Sequence, residues 1–128
     1  SLVFDNDGVP YIVPMNYGYS DGRLYFHSAK AGRKIELLQK NNRVCFEIEV
    51  DTKIVQEELA CSWQMKYRSV IGYGKLFAVG DPSKIRTGLS VIMNHYLEKE
   101  DWSFADESVD KVVVLQLEID EMTGKQSI

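Results

Sequence analysis

Ser28, Lys30, Gly32, Arg33 and Lys34 bring a hydroxyl, three cations and a glycine together just after the strand-like run Arg23 to His27. Ile35, Leu37 and Leu38 follow at the spacing of an amphipathic helix that starts near Gly32. The first turn of a helix exposes unpaired N–H groups and partial positive charge, which Asp or Glu ordinarily offsets. Here Lys30, Arg33 and Lys34 oppose the dipole instead, at a cost of roughly 0.3–1 kcal/mol each unless an anion compensates. Strand, small-residue turn and helix N-terminus form a phosphate-binding arrangement, with Arg33 and Lys34 closing the cage. The plain alternative is a solvated basic face softened by Glu36. His27 lies beside this turn and is a candidate proton donor, a hydrogen-bonded structural histidine being its alternative.

The flanking elements must position these residues. Leu2-Val3-Phe4 reads as a strand running into the turn Asp5-Asn6-Asp7-Gly8. Val9 to Tyr19 is rich in β-branched and aromatic residues, and Ser20-Asp21-Gly22 is a tight-turn signal, so this run and Arg23 to His27 form a hairpin. Pro10 and Pro14 cannot donate to a ladder, which puts an edge or a bulge near Pro14. A helix over about 32–40 ends at Asn41-Asn42, and Arg43 to Ile54 is a long strand with Val44, Phe46, Ile48 and Val50 on one face.

Gln56 to Gln64 reads as a connection and Tyr67 to Val79 as a strand, whose Gly72 and Gly74 allow close backbone approach. Trp63 and Met65, just before it, read as core. Asp81-Pro82 is a cap followed by a first-turn proline, opening a helix with Ile85, Leu89, Ile92 and Tyr96 on its buried stripe. His95 falls on its exposed side. Trp102 to Asp110 reads as a polar connection, Lys111 to Ile119 as a final strand buried on both faces at Val112 to Leu115, and Glu121 to Lys125 as a closing turn. These elements predict a mainly β protein, an antiparallel barrel of about six strands with two or three short helices.

The chain has 128 residues, 45% hydrophobic, enough for one compact domain. A net charge of −4 provides no general field for nucleic acid or anionic lipid, so neither is an expected partner and any basic site is local. No apolar run approaches the ~20 residues that span a bilayer, and a cytoplasmic location is expected. Cys45 and Cys61 lack CxxC or Cys/His spacing and read as reduced structural thiols. His95 has no second histidine or carboxylate cluster beside it, so no metal is expected. Neither GxGxxG nor GxxxxGK[ST] occurs.

The stretch PYIVPMNYGYSDGRLYFHSAKAGRKIELLQKNNRVCFEIE resembles the signature region of the nitroimidazole-resistance flavoproteins, a branch of the pyridoxamine 5′-phosphate oxidase-like, FMN-binding split-barrel superfamily. CSWQMKYRSVIGYGKLFAV resembles the second motif of that branch, and EIDEMTGK its closing strand and turn. The resemblance implies a homodimer with FMN at the subunit interface. It matches Arg33 and Lys34 to the pair that binds the FMN phosphate, and His27 and Ser28 to contacts with the phosphate and ribityl chain. Val13, Pro14, Met15, Asn16 and Tyr17 would line the isoalloxazine, and Tyr67, Arg68, Ser69 and Val70 would come from the partner subunit. It also makes His27 the residue suspected of chemistry. A small closed barrel is filled by its own side chains, which agrees with a flavin held at a seam. Relatives carry an N-terminal helix and strand ahead of this region, so residues 1–128 are expected to form one such domain short of that piece.

Three functions follow as expectations. The first is an FMN-dependent oxidoreductase that reduces a small electron-poor acceptor such as a nitro-aromatic. The second, pyridoxamine 5′-phosphate oxidation, needs a second phosphate site that Arg68 and Lys125 alone do not make. The third is a non-catalytic flavin or haem binder, or a redox sensor. No nicotinamide motif identifies an electron donor.

Overall fold

The computed structural model describes residues 1–55, 64–97 and 102–127. The expected connection after Gln56, with Cys61 and Trp63, lies outside the described residues, as do the side chains of Met65 and Tyr67. Seven strands form one antiparallel sheet: β1 (Leu2–Asn6), β2 (Val9–Val13), β3 (Gly18–Ser20), β4 (Arg23–Ala29), β5 (Arg43–Val55), β6 (Gln64–Val79) and β7 (Val112–Ser127). Three helices accompany it: α1 (Arg33–Lys40), α2 (Pro82–Tyr96) and α3 (Asp106–Asp110).

Two hairpins follow directly from Asp-Gly pairs. Asp7-Gly8, with φ 51° and 86°, joins β1 to β2, and Asp21-Gly22, with φ 51° and 78°, joins β3 to β4. Two consecutive positive φ values define the two-residue turn whose twist matches that of the flanking strands. The β-rich run Val9 to Tyr19 is therefore not one strand. Its first part pairs back onto β1, its last part pairs forward onto β4, and residues 14–17 link the two.

Strand order is β2-β1-β5-β6-β7-β4-β3, so β2 and β3 are the two edges. This corrects the expected split barrel of about six strands. The sheet is open, because among the described residues no ladder joins β2 to β3. Closure would need main-chain donors along β2 and the segment after it, yet Pro10 and Pro14 supply none, and β3 offers only three residues.

The sheet buries side chains on both faces. Leu2, Phe4, Leu24, Phe26, Val44, Phe46, Leu76, Leu115 and Leu117 form the main core with Leu37 and Leu38 of α1. Val114 points the other way, into a smaller core with Ile85 of α2 and Val109 of α3. Alternation along β7 thus makes Val114 and Leu115 buried on opposite faces, as the apolar run predicts. Beyond it β7 continues to Ser127, so Glu121 to Lys125 pair with β6 rather than turn.

The Asp81 carboxylate caps α2, accepting from the Ser83 N–H at 3.2 Å. Gly88 lies against Val114, where an added Cβ would come within 2.6 Å of a valine methyl. Residues 106–110, read from sequence as connection, form the short α3, which is tied to α2 by the ion pair of Arg86 with Asp106. Among the described residues no helix is long and apolar enough to cross a membrane.

Candidate functional site

Leu24, Phe26 and Ser28 alternate with Arg23, Tyr25, His27 and Ala29 along β4, and the first set is buried. The side chains of His27 and Ser28 therefore leave opposite faces of the sheet. Ser28 is 4% exposed, and its hydroxyl donates to the Ala29 carbonyl at 2.9 Å. The imidazole of His27 is exposed. A ligand lying on one face meets only one of these side chains directly.

Their backbone tells a different story. β3 pairs with β4 only from Arg23 to Tyr25, so among the described residues β4 has an open edge beyond Tyr25. Ser20 and Arg23 close a two-residue hairpin as a hydrogen-bonded pair, which aims the N–H and C=O of Arg23, Tyr25, His27 and Ala29 at that edge. The main chain of His27 and Ala29 is thus presented where no strand pairs with it.

The helix that follows begins where its apolar spacing puts it, just after Gly32. Gly32 is the residue before α1, with φ 131°, a region that side-chain-bearing residues rarely enter, and it supplies no capping side chain. The first helical hydrogen bond runs from the Glu36 N–H to the Gly32 carbonyl at 3.1 Å. The N–H groups of Arg33, Lys34 and Ile35 consequently have no acceptor within the helix. Arg33 is exposed and Lys34 half-buried, and among the described residues neither is paired with a carboxylate. Leu37 and Leu38 fix this helix start by anchoring α1 in the main core. Lys30 is exposed in the turn.

Residues 14–17 bridge the two edges of the sheet. Val13, Met15 and Tyr17 pack against the main core, whereas Pro14 and Asn16 face outward. The Tyr17 N–H donates to the Tyr96 hydroxyl at 3.1 Å, and the Tyr17 ring lies 4.2 Å from that of His95, which in turn meets Tyr96 edge-on at 4.7 Å. Burial, followed by the neighbouring Tyr96, raises the Tyr17 hydroxyl above its ordinary value near 10. Sequence reasoning missed this cluster. His95 is exposed, as the sequence reading has it, but its ring lies against Tyr17; Tyr96, read onto a buried stripe, is 49% exposed and bonded to the linking segment. The i, i+11 spacing places Tyr96 at the far end of α2, beyond the sheet surface that buries Ile85 and Ile92.

At the start of β6, Tyr67 pairs with Thr52 and Ser127, Arg68 is exposed, and Ser69 and Val70 are half-buried. Val70 shares with Tyr17 the wall of an apolar groove of about 340 Å³, also lined by Leu24, Phe46, Ile48 and Met122. The fold thus brings Tyr17 and Val70 of one chain to the same groove, whereas the resemblance takes Val70 from the partner subunit. Arg33, Lys34 and His27 do not line that groove and form a separate group around the β4–α1 turn.

Comparison with known proteins gives consistent relatives. The family model described as pyridoxamine 5′-phosphate oxidase matches residues 1–126. The chain is similar to the crystal structure of a candidate 5-nitroimidazole antibiotic resistance protein from Bacteroides thetaiotaomicron, with 39% identity and a TM-score of 0.80, covering 96% of this chain and 73% of that one. An FAD-binding protein from Mesorhizobium loti is 26% identical with a TM-score of 0.68, covering 99% and 84%. The flavocytochrome Anf3 from Azotobacter vinelandii, 20% identical with a TM-score of 0.77, shares the fold across 99% of this chain, which spans 60% of that one. A search among curated proteins gave no match.

Proposed function

The chain belongs to the pyridoxamine 5′-phosphate oxidase family and is related to a candidate nitroimidazole-resistance protein, and we propose that it is an FMN-dependent oxidoreductase that reduces a small electron-poor acceptor. One observation carries the cofactor: α1 starts without a side-chain cap, behind Gly32, with Arg33 and Lys34 unpaired among the described residues. Free N–H groups and two adjacent cations at one helix start suit a phosphate monoester better than any neutral group.

When bound, the flavin supplies the electron transfer, and the protein supplies binding, orientation and proton delivery. Arg33 and Lys34 hold the terminal phosphate. The open main-chain edge at His27 and Ala29 offers hydrogen bonds to the ribityl chain, and Ser28, whose hydroxyl is turned inward, contributes through its position rather than its side chain. Val13 to Tyr17 provide an apolar flank for the ring, with main-chain groups near Pro14 to Asn16 for its polar rim. The exposed His27 imidazole is the donor that protonates the reduced acceptor.

A second copy of this chain contributes Tyr67 to Val70 and completes the cover. Ile71, Tyr73 and Phe77, on the outward side of the central strand β6, are each at least 40% exposed and share that side with Lys75, a largely apolar row that favours association.

Titration of apoprotein with FMN and with riboflavin tests the phosphate assignment. Replacing Arg33 and Lys34 together by alanine is expected to weaken FMN by about ten- to a hundredfold for each lost charge-assisted contact, and riboflavin hardly at all. Equal losses for the two ligands would put the phosphate elsewhere. The named FAD-binding relative makes FAD the competing cofactor, and the same titration run with FAD distinguishes it.

A further inference from the structure

We infer that the C-terminal turn of α2, through Tyr96 and His95, is the device that positions residues 14–17 against the flavin ring. The inference rests on the reading that this segment flanks a flavin. Residues 14–17 belong to no strand, and Pro14 has no N–H to offer. Among the described residues, the bond from the Tyr17 N–H to the Tyr96 hydroxyl is the one hydrogen bond that ties the segment to another element. The His95 ring, 4.2 Å from that of Tyr17 and tilted by 40°, fixes the side chain of the same residue whose backbone Tyr96 holds. Tyr96 also meets His95 edge-on at 87°, so the two grips support one another.

The base of this clamp is rigid. Ile85 and Ile92 are buried, Gly88 abuts Val114, and the Leu97 N–H closes the last turn of α2 on the Met93 carbonyl at 2.9 Å. Trp102 donates through Nε1 to the Asn94 side chain at 2.6 Å, a further tie on that turn. Val91 lies directly over Gly18, so α2 rests on the residue that immediately follows the segment. Tyr96 is 49% exposed, and water could satisfy the Tyr17 N–H in its place. Satisfying that donor therefore does not require Tyr96, whereas fixing its direction does. Neither Tyr96 nor His95 needs to touch the reacting atoms, and both act as positioning residues.

Tyr96→Phe keeps the ring and removes the acceptor. The expected result is an equal weakening of FMN and riboflavin, about two- to tenfold, because the ring flank changes while the phosphate site does not. The visible spectrum of the bound flavin shifts as well. His95→Ala does the same, and His95→Phe, which restores an aromatic contact, recovers most of the affinity. Amide hydrogen exchange in the flavin-free protein reads the tether by itself: Tyr96→Phe raises exchange at Tyr17 and leaves the interior of α2 protected. A wild-type protein that takes up neither flavin fails the functional reading, and this inference with it. A wild type that binds both, with Tyr96→Phe unchanged in affinities and spectrum, overturns the clamp alone, as does a loss confined to FMN.

Discussion

His27 and Ser28 are adjacent in the chain and opposite in space, and that separation divides the work of the site. Strand alternation turns the Ser28 hydroxyl into the protein, where it is bonded to the next carbonyl, and leaves the imidazole of His27 outside. The consequence is a specific expectation for His27→Ala: flavin binding is retained, while turnover with a nitro-aromatic acceptor falls by about a hundredfold or more, the range of a lost general acid. Steady-state kinetics on flavin-loaded protein checks it, and unchanged turnover would return His27 to a structural role. The types and spacing of Arg33, Lys34 and His27 were legible in sequence because helix starts and strand ends are local. The Tyr17, His95 and Tyr96 cluster was not, because its members are brought together only when α2 is laid across β3 and β4.

Among the elements, the contact of α2 with β3 is a tight joint. A Cβ at Gly18 would lie 2.5 Å from the Val91 carbonyl oxygen and 2.6 Å from the Ile92 nitrogen, both of them helix backbone that cannot swing aside. Gly18→Ala is therefore expected to cost about 1–3 kcal/mol in chemical denaturation, the range of core overpacking. Gly80→Ala, where nothing lies within 4 Å, serves as the neutral control. A Gly18→Ala midpoint equal to that of the control would mean that α2 sits farther from β3. Both Asp-Gly turns, the Asp81 cap and the two-faced burial of β7 could be read from the sequence, each being written in neighbouring residues. The count of strands and the openness of the sheet could not. They depend on which distant strands pair, and the single β-rich run Val9 to Tyr19 conceals a division between two hairpins at opposite edges.

For the whole molecule, an open sheet changes the reason for expecting a cofactor at a seam. A filled, closed barrel would have forced the flavin outside, whereas this sheet leaves an apolar groove between Tyr17 and Val70 and exposed Ile71, Tyr73 and Phe77 along β6, interrupted by Lys75. Such surfaces favour a second copy of the chain. Light scattering at micromolar concentration is expected to give twice the chain mass, and a monomer with flavin bound would contradict the shared site. The most direct test of the account is the identity of what the purified protein carries. Its visible spectrum should be that of a bound flavin, and acid or heat should release FMN rather than FAD or riboflavin. A colourless protein that cannot be reconstituted with FMN would contradict the central claim.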